Sequence, residues 1–174
     1  MDENKKSRSL AAERWNITLA ELLDDPLVLI HEKKQYEDKS FKFPVQNEEV
    51  HLNGTGLSSR YHYLVNINRK RCICSRVTFL NRINTSTILL RLDIDTKPHC
   101  NPDNRRVGVT HLHVFQTGFN DAWAYELNDP KLAELFPGFD FSRFNETRPE
   151  LLFVEFSKLC NFINLPTFPM APLF

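Results

Sequence analysis

The segment RYHYLVNINRKRCICSRVTFLNRINTSTILLRLDID, residues 60–95, sets the architecture of the chain. It contains three runs rich in β-branched and aromatic side chains, at residues 60–68, 71–79 and 87–95. The residues between the first two runs suit a tight turn, and those before the third suit a looser one. Because connections this short join antiparallel neighbours, the sequence predicts a β-meander in the middle of the chain.

Further strands are predicted on both sides of this meander. Residues 41–45 alternate apolar with polar side chains, and the Asn-Gly-Thr-Gly sequence at 53–56 is typical of a turn. Residues 97–106 are rich in Pro, Asn, Asp and Arg, which predicts an exposed loop. Strand alternation resumes at residues 109–115 and again at 122–127.

Helices are predicted near both ends. Apolar residues recur at three- and four-residue spacings over 10–23, and Asp-Asp-Pro at 24–26 ends the pattern. The apolar run 27–30 suits either a helical turn or a connector. Thr-Arg-Pro-Glu at 147–150 is typical of a capping box with an early proline. The apolar residues that follow fall on one helical face: Leu152, Phe156, Leu159 and Ile163.

Together these patterns predict an α+β fold, an antiparallel β-sheet meander of about five or six strands with N- and C-terminal helices packed against it. A chain of 174 residues that is 41% hydrophobic suits one compact domain. We expect a flexible N-terminus at 1–9, a single domain at 10–165, and an extended Pro- and Phe-rich tail at 166–174. The apolar end of that tail must either dock on the domain or bind a partner.

The charge balance restricts the partners. Lys plus Arg equals Asp plus Glu at 22 each, so any contact with nucleic acid needs a local basic patch. The polar start of the chain and the lack of a run of about 18 apolar residues predict a cytoplasmic protein with no membrane partner. The four cysteines are expected to be free thiols, since Cys72 and Cys74 have a strand spacing rather than that of a zinc knuckle.

Polar residues concentrate between residues 91 and 124, where Arg-Leu-Asp, Pro-His-Cys-Asn-Pro-Asp, His-Leu-His and Asp-Ala-Trp-Ala follow in order. This density exceeds what a partly β segment needs for folding, so it is the candidate site. His111 and His113 share one face of a predicted strand, about 7 Å apart along it. Asp93 precedes them on another predicted strand.

Three interpretations of the histidine pair are open. A divalent metal could bind His111, His113 and nearby carboxylates, although we assign no metal ligand or other cofactor. Alternatively, one histidine acts as general base and the other as general acid, as in a small ribonuclease whose nucleophile is the RNA 2′-hydroxyl. The third interpretation is structural: the histidines are hydrogen-bonded to neighbours, and the aspartates cap loops.

Basic residues near the predicted turns suit a phosphate. We assign phosphate or RNA binding to Arg69, Lys70, Arg91 and Arg105, within a wider basic group that includes Arg71 and Arg76. Supporting positions are His99, Asp103, Asp121 and Trp123, although core packing suits Trp123 better than stacking on a base.

The four motifs resemble an uncharacterised family of small bacterial proteins carried by prophages and other mobile elements. The likeness covers roughly residues 60–128, and Asn104 stands where relatives tend to have glycine. Asparagine also tolerates a left-handed backbone. The resemblance implies a setting of conflict between phage and host, in which small proteins are commonly toxins, antitoxins or inhibitors of host defence such as CRISPR nucleases.

The functional hypothesis from sequence is therefore an RNA-acting protein of a mobile element, a small ribonuclease with His111, His113 and Asp93 as catalytic residues. RNA or a ribonucleoprotein is the expected partner. The alternative is a non-catalytic inhibitor of a host defence nuclease, or another protein-binding module, that binds its partner through the C-terminal tail.

Overall fold

A seven-stranded antiparallel sheet forms the centre of the structure, a computed structural model that describes residues 25–70 and 76–168. Its strands are β1 (Lys34–Tyr36), β2 (Glu49–Gly56), β3 (His62–Asn68), β4 (Val77–Ile83), β5 (Thr87–Ile94), β8 (His111–Val114) and β9 (Ala124–Tyr125). The spatial order is β1-β2-β3-β4-β5-β8-β9. A separate hairpin of β6 (His99–Cys100) and β7 (Arg106–Val107) interrupts the meander between β5 and β8. The predicted α+β meander is confirmed, with more strands than expected.

Helices cover one face of the sheet. They are α1 (Pro26–His31), α2 (Pro130–Leu135), α3 (Pro149–Leu159) and a 3₁₀ turn, Phe141–Asn145. Phe153 and Phe156 of α3 lie 5.4 and 5.5 Å from the ring of Phe79 on β4, and Leu29 and Ile30 of α1 belong to the same buried core. The helix predicted at residues 10–23 lies outside the described residues.

The start of α3 differs from the prediction. Arg148 is the N-cap and makes no side-chain cap hydrogen bond, while Pro149 opens the helix, so the capping box was wrong. Glu146 instead accepts hydrogen bonds from the backbone N–H groups of Thr147 and Arg148. Ile163 lies beyond the helix and is exposed, so the apolar face ends at Leu159.

The N-terminal half of the sheet also differs. Residues 41–45 form no strand, and the predicted turn at 53–56 is the end of β2. Gly54 is required there by packing, because a Cβ atom at this position would lie 2.7 Å from Cε1 of Phe162. The chain turns instead just after Gly56, where Arg60 has a φ of 58°.

Alternation along β5 and β8 separates a core face from a polar face. Leu90 and Leu92 of β5 are fully buried in the core, beside Leu112 of β8. The residues between them point to the other side of the sheet because side chains alternate along a strand. That opposite face carries Arg91, Asp93, His111 and His113.

The described part of the tail docks on the domain. The ring of Phe168 meets those of Phe41 and Phe43 edge-on, with centroids 5.3 and 5.5 Å away. Residues 169–174 lie outside the described residues, and the predicted domain limits stay predictions. Cys100 and Cys160 are free thiols, whereas Cys72 and Cys74 are not among the described residues. Within the described segments, no helix combines the length and apolar character needed to cross a bilayer.

Candidate functional site

The register between β5 and β8 brings the central motifs together. Arg91 pairs with His113 and Asp93 pairs with His111, so all of them meet on the polar face. The two imidazole rings lie 4.8 Å apart between centroids. Both histidines are buried, with 1% of His111 and none of His113 exposed to solvent. The motifs that sequence predicted to form one site therefore do lie together.

Backbone carbonyls fix the tautomers of both histidines. Nδ1 of His111 lies 2.7 Å from the carbonyl oxygen of Gly108, and Nδ1 of His113 lies 2.7 Å from that of Asp121. A carbonyl oxygen only accepts, so each Nδ1 must carry the proton and donate it. The two Nε2 atoms then face Asp93, whose Oδ2 is 3.3 Å from His111 and 3.4 Å from His113.

Asp93 is held ionised by its surroundings. Thr78 donates to Oδ1 at 2.7 Å, and Nε of Arg91 donates to Oδ2 at 3.1 Å. Burial alone would raise the pKa of Asp93, but the neighbouring imidazoles of His111 and His113, the charge of Arg91 and the hydrogen bond from Thr78 hold that pKa well below its ordinary value. The site thus contains a permanent, partly buried negative charge.

Arg91 links this carboxylate to the loop before β9. Its Nη1 lies 2.8 Å from Oδ2 of Asp121, and its Nη2 donates to Nε2 of His113 at 2.6 Å. Burial lowers the pKa of His113. The neighbouring Asp93 acts to raise this pKa, whereas the charge of Arg91 lowers it further. His113 is therefore neutral, with both ring nitrogens engaged.

An open groove of about 510 Å³ reaches the site. Asp93 and His111 lie in its wall, whereas His113 does not. Its basic lining is Lys70, Arg76, Arg91 and Lys97, and the other lining residues include His99, Asn68 and Thr78. Lys70 is paired with Glu49, and Arg91 is paired with Asp93 and Asp121. Arg76 and Lys97 therefore supply the positive charge that makes the groove complementary to an anionic ligand.

Comparison with known proteins identifies the family. The model of a family of unknown function, DUF6978, matches residues 25–165. The chain belongs to DUF6978. No curated protein and no solved structure matches it. The match to DUF6978 extends well beyond the 60–128 segment that carries the resemblance noted from sequence, while the mobile-element setting stays a prediction.

The predicted phosphate ligands of this DUF6978 member divide into two groups. Lys70 and Arg91 line the groove. Arg69 donates to the carbonyl of Pro44, and Arg105 pairs with Asp129 at 3.2 Å, so neither lies in the groove lining. Arg69 and Lys70 diverge because neighbouring residues at a strand end point in different directions.

Two groove cations were not assigned from sequence. Arg76 belonged to the wider basic group, and its Nε donates to the carbonyl of Asp95 at 2.8 Å. Lys97 is exposed in the loop before β6, and among residues 25–70 and 76–168 no carboxylate lies within ion-pair distance of it. Only its position next to the Pro-His motif could have indicated its role.

The predicted supporting residues of this DUF6978 chain mainly position the site. Nε2 of His99 donates to the carbonyl of Ala122 at 2.8 Å, and its ring lies 4.6 Å from that of His113. Asp103 accepts from the backbone of Arg105 within the hairpin turn. Trp123 is half-buried and packs against the core, as sequence indicated. Asp121 acts through both its carboxylate and its carbonyl, as described above.

Proposed function

We propose that the protein acts on RNA by holding the phosphate backbone in the groove beside Asp93 and His111. The observation that carries this proposal is the charge of the groove, whose lining brings Arg76, Lys97 and the Glu49-paired Lys70 together with Asp93 and His111. Cations along a groove bind nucleic acid by neutralising phosphates and releasing counterions. The proposal keeps the setting that the sequence resemblance implies, a mobile genetic element in conflict with its host.

RNA is favoured over a small anion by the form of the groove. It is open rather than enclosed, and its cations come from separate elements, including the end of β3, strand β5 and the loop before β6. His111 and Asp93 then face the bound backbone, and such a histidine–carboxylate pair can assist cleavage next to a 2′-hydroxyl. In this proposal His113 and Arg91 position that pair.

The binding test is fluorescence anisotropy of a labelled single-stranded RNA at several salt concentrations. Lys97→Ala and Arg76→Ala should each weaken binding and reduce the slope of log K against log salt by about 0.7. Arg105→Ala is the matched control because that side chain is exposed and pairs with Asp129 away from the groove. Equal weakening by the control, or binding that does not depend on salt, would contradict the proposal.

Cleavage is a separate arm of the same test. His111→Ala should abolish cleavage of an end-labelled RNA while anisotropy still reports binding. His62→Ala is the control, since 78% of the His62 side chain is exposed and it lies at the opposite end of β3 from the groove residue Asn68. Cleavage that survives in His111→Ala, or a wild-type chain that binds RNA without cutting it, would remove the catalytic part of the proposal.

The alternative, a non-catalytic inhibitor of a host nuclease, places its partner on the tail at 168–174. In the described part of that tail, Phe168 packs against Phe41 and Phe43. No observation on the described residues therefore favours a tail-mediated complex over the groove.

A further inference from the structure

Three acceptor atoms converge beside the groove, two of them from residues of its wall. One ligand atom from each of Asp93, His111 and His113 lies within 4.8 Å of the other two, and all three residues are buried. Oδ2 of Asp93 is 3.3 Å from Nε2 of His111 and 3.4 Å from Nε2 of His113. Because each Nδ1 donates to a backbone carbonyl, a neutral ring presents a lone pair at Nε2. Lone pairs aimed at one point repel each other unless a cation lies between them.

Arg91 supplies that cation for only part of the cluster. Its guanidinium donates to His113 Nε2 and to Asp93 Oδ2, at 2.6 and 3.1 Å. Among the described residues, no N–H or O–H group donates to Nε2 of His111, whose neighbour there is Asp93. A proton on Nε2 of His111, or a metal ion between this atom and Oδ2 of Asp93, would relieve the repulsion.

The distances suit a metal ion in this position. Zinc bonds of about 2.0–2.1 Å at tetrahedral angles separate two ligands by about 3.3 Å. The observed separations from Asp93 Oδ2 to the two Nε2 atoms are 3.3 and 3.4 Å. Metal-bound histidines usually donate their second ring N–H to a carbonyl or carboxylate, as both rings do here. Thr78 supports the carboxylate in the same way.

We propose that Asp93, His111 and His113 bind a divalent transition-metal ion of the zinc class. Two imidazole nitrogens and one carboxylate form a donor set that zinc accepts in proteins and that leaves a coordination position open. On binding, Arg91 withdraws from His113 Nε2 and keeps its contact with Asp121, so guanidinium and metal compete for the site. In the metal-bound form His111 serves as a ligand, and the acid–base role of the proposed function applies to the metal-free form.

The open position connects this site with the groove. Asp93 and His111 both line the groove, so an ion between them can take a phosphate oxygen as a further ligand. That last step rests on the proposed function in RNA, whereas metal binding itself does not. A bound metal would add a positive charge where the phosphate is expected to lie.

The test is calorimetric titration of the full chain with Zn²⁺ in the absence of RNA, together with the visible absorption spectrum of the Co²⁺ form. We expect one ion per chain and a Co²⁺ spectrum of nitrogen and oxygen ligation. His111→Ala and Asp93→Asn should weaken Zn²⁺ binding by at least about tenfold. His62→Ala is the surface control, and the double change Cys72→Ser with Cys74→Ser should leave binding intact. Circular dichroism checks that each variant folds.

Arg91→Gln provides the sharper comparison, because it removes the competing cation and should tighten Zn²⁺ binding. A wild-type chain that binds no ion overturns the proposal even if Arg91→Gln binds one, since the guanidinium would then be the permanent cation of the site. Binding lost in the cysteine variant, or a thiolate band in the Co²⁺ spectrum, also overturns it. RNA binding is measured both with Zn²⁺ and in chelator, and a chain that binds Zn²⁺ but binds RNA in neither condition contradicts the proposed function alone.

Discussion

Asn101 pairs with the backbone of Ala124 as a neighbouring strand would. Its Nδ2 donates to the carbonyl of Ala124 and its Oδ1 accepts from the N–H of the same residue, both at 2.9 Å. Ala124 lies on β9, an outer strand of the sheet, and the other edge of β9 is paired with β8. The carboxamide therefore satisfies backbone groups that an edge strand would otherwise leave unpaired.

The opposite edge of the sheet ends in the same way. Oδ1 of Asn164 accepts from the N–H of Tyr36 at 2.7 Å, and its Nδ2 donates to the carbonyl of Tyr36 at 2.9 Å. Tyr36 belongs to β1, the other outer strand. At this edge the asparagine acts together with a backbone bridge between Lys34 and Phe162. An asparagine side chain thus helps to close each edge of the main sheet, which disfavours pairing with a second chain.

Asn101→Ala should lower the free energy of unfolding by about 2–4 kcal/mol, because two buried backbone groups of Ala124 would lose their partners. Urea denaturation followed by circular dichroism measures this loss. Asp103→Ala is the matched control in the same hairpin, and we expect a loss under about 1 kcal/mol there because water can replace its exposed carboxylate. Similar losses in both variants would show that Asn101 is no more than a turn residue.

Lys34→Met should destabilise the fold by about 2–4 kcal/mol. Lys34 is fully buried, and its Nζ donates to the carbonyls of Ile30, Glu32 and Cys160 at 2.8–2.9 Å. These carbonyls lie at the C-terminal ends of α1 and α3, where a cation is favourable. Lys33→Met, an exposed neighbour, should change little in the same urea titration. An equally stable Lys34→Met chain would contradict this role.

The pH dependence of stability should also change in Lys34→Met. Burial lowers the pKa of Lys34 to about 8, from 10.5. Between these values the unfolded chain binds more protons, so this residue raises the unfolding free energy as pH rises. Burial raises the pKa of Cys160 to about 12 from 9.0, which acts in the opposite direction above 9.0. The increase should therefore be clearest just above pH 8 in wild type and absent in Lys34→Met, as urea midpoints would report.

Much of the sheet followed from local patterns. The run predicted at 87–95 is β5, Thr87–Ile94, because apolar alternation over one buried face is a strong strand signal. The end of β2 was missed because Gly54 and Gly56 resemble turn residues in sequence. Glycine occupies these two positions because the side chains of Phe162 and Glu32, which are distant along the chain, leave no space for a Cβ atom. Sequence spacing carries no sign of such contacts.

The sequence indicated which residues come together on the polar face, but not the hydrogen bonds and strand register that connect them. The spacing of His111 and His113 placed both on one strand face, and Asp93 proved to be directly opposite. The hairpin inserted between β5 and β8 docks through Asn101, and such docking leaves no periodic pattern in the sequence. Asn104 does have the left-handed backbone that the resemblance implied, with a φ of 67°.

Gly54→Ala should cost about 1–3 kcal/mol of stability, because the added methyl group meets a packed ring and a backbone oxygen. A Cβ at residue 54 would lie 2.7 Å from Phe162 Cε1 and 3.1 Å from the carbonyl of Gln35. Gly108→Ala is the control, since its nearest contact would be Glu126 Oε1 at 3.6 Å. We expect the control to stay within about 0.5 kcal/mol of wild type in thermal or urea unfolding. A tolerant Gly54→Ala would mean that the Phe162 ring moves freely.

Phe168→Ala decides between the two roles considered for the C-terminal tail. If the ring is part of the domain, its loss removes two edge-on contacts, with Phe41 and Phe43, and should cost about 1–3 kcal/mol. Thr167→Ala, its exposed neighbour, should leave the urea midpoint unchanged. A ring reserved for a partner protein would instead leave stability intact on removal, since it would contribute nothing to the isolated chain. An unchanged urea midpoint in Phe168→Ala would therefore favour the alternative function, in which the C-terminal tail binds a partner protein.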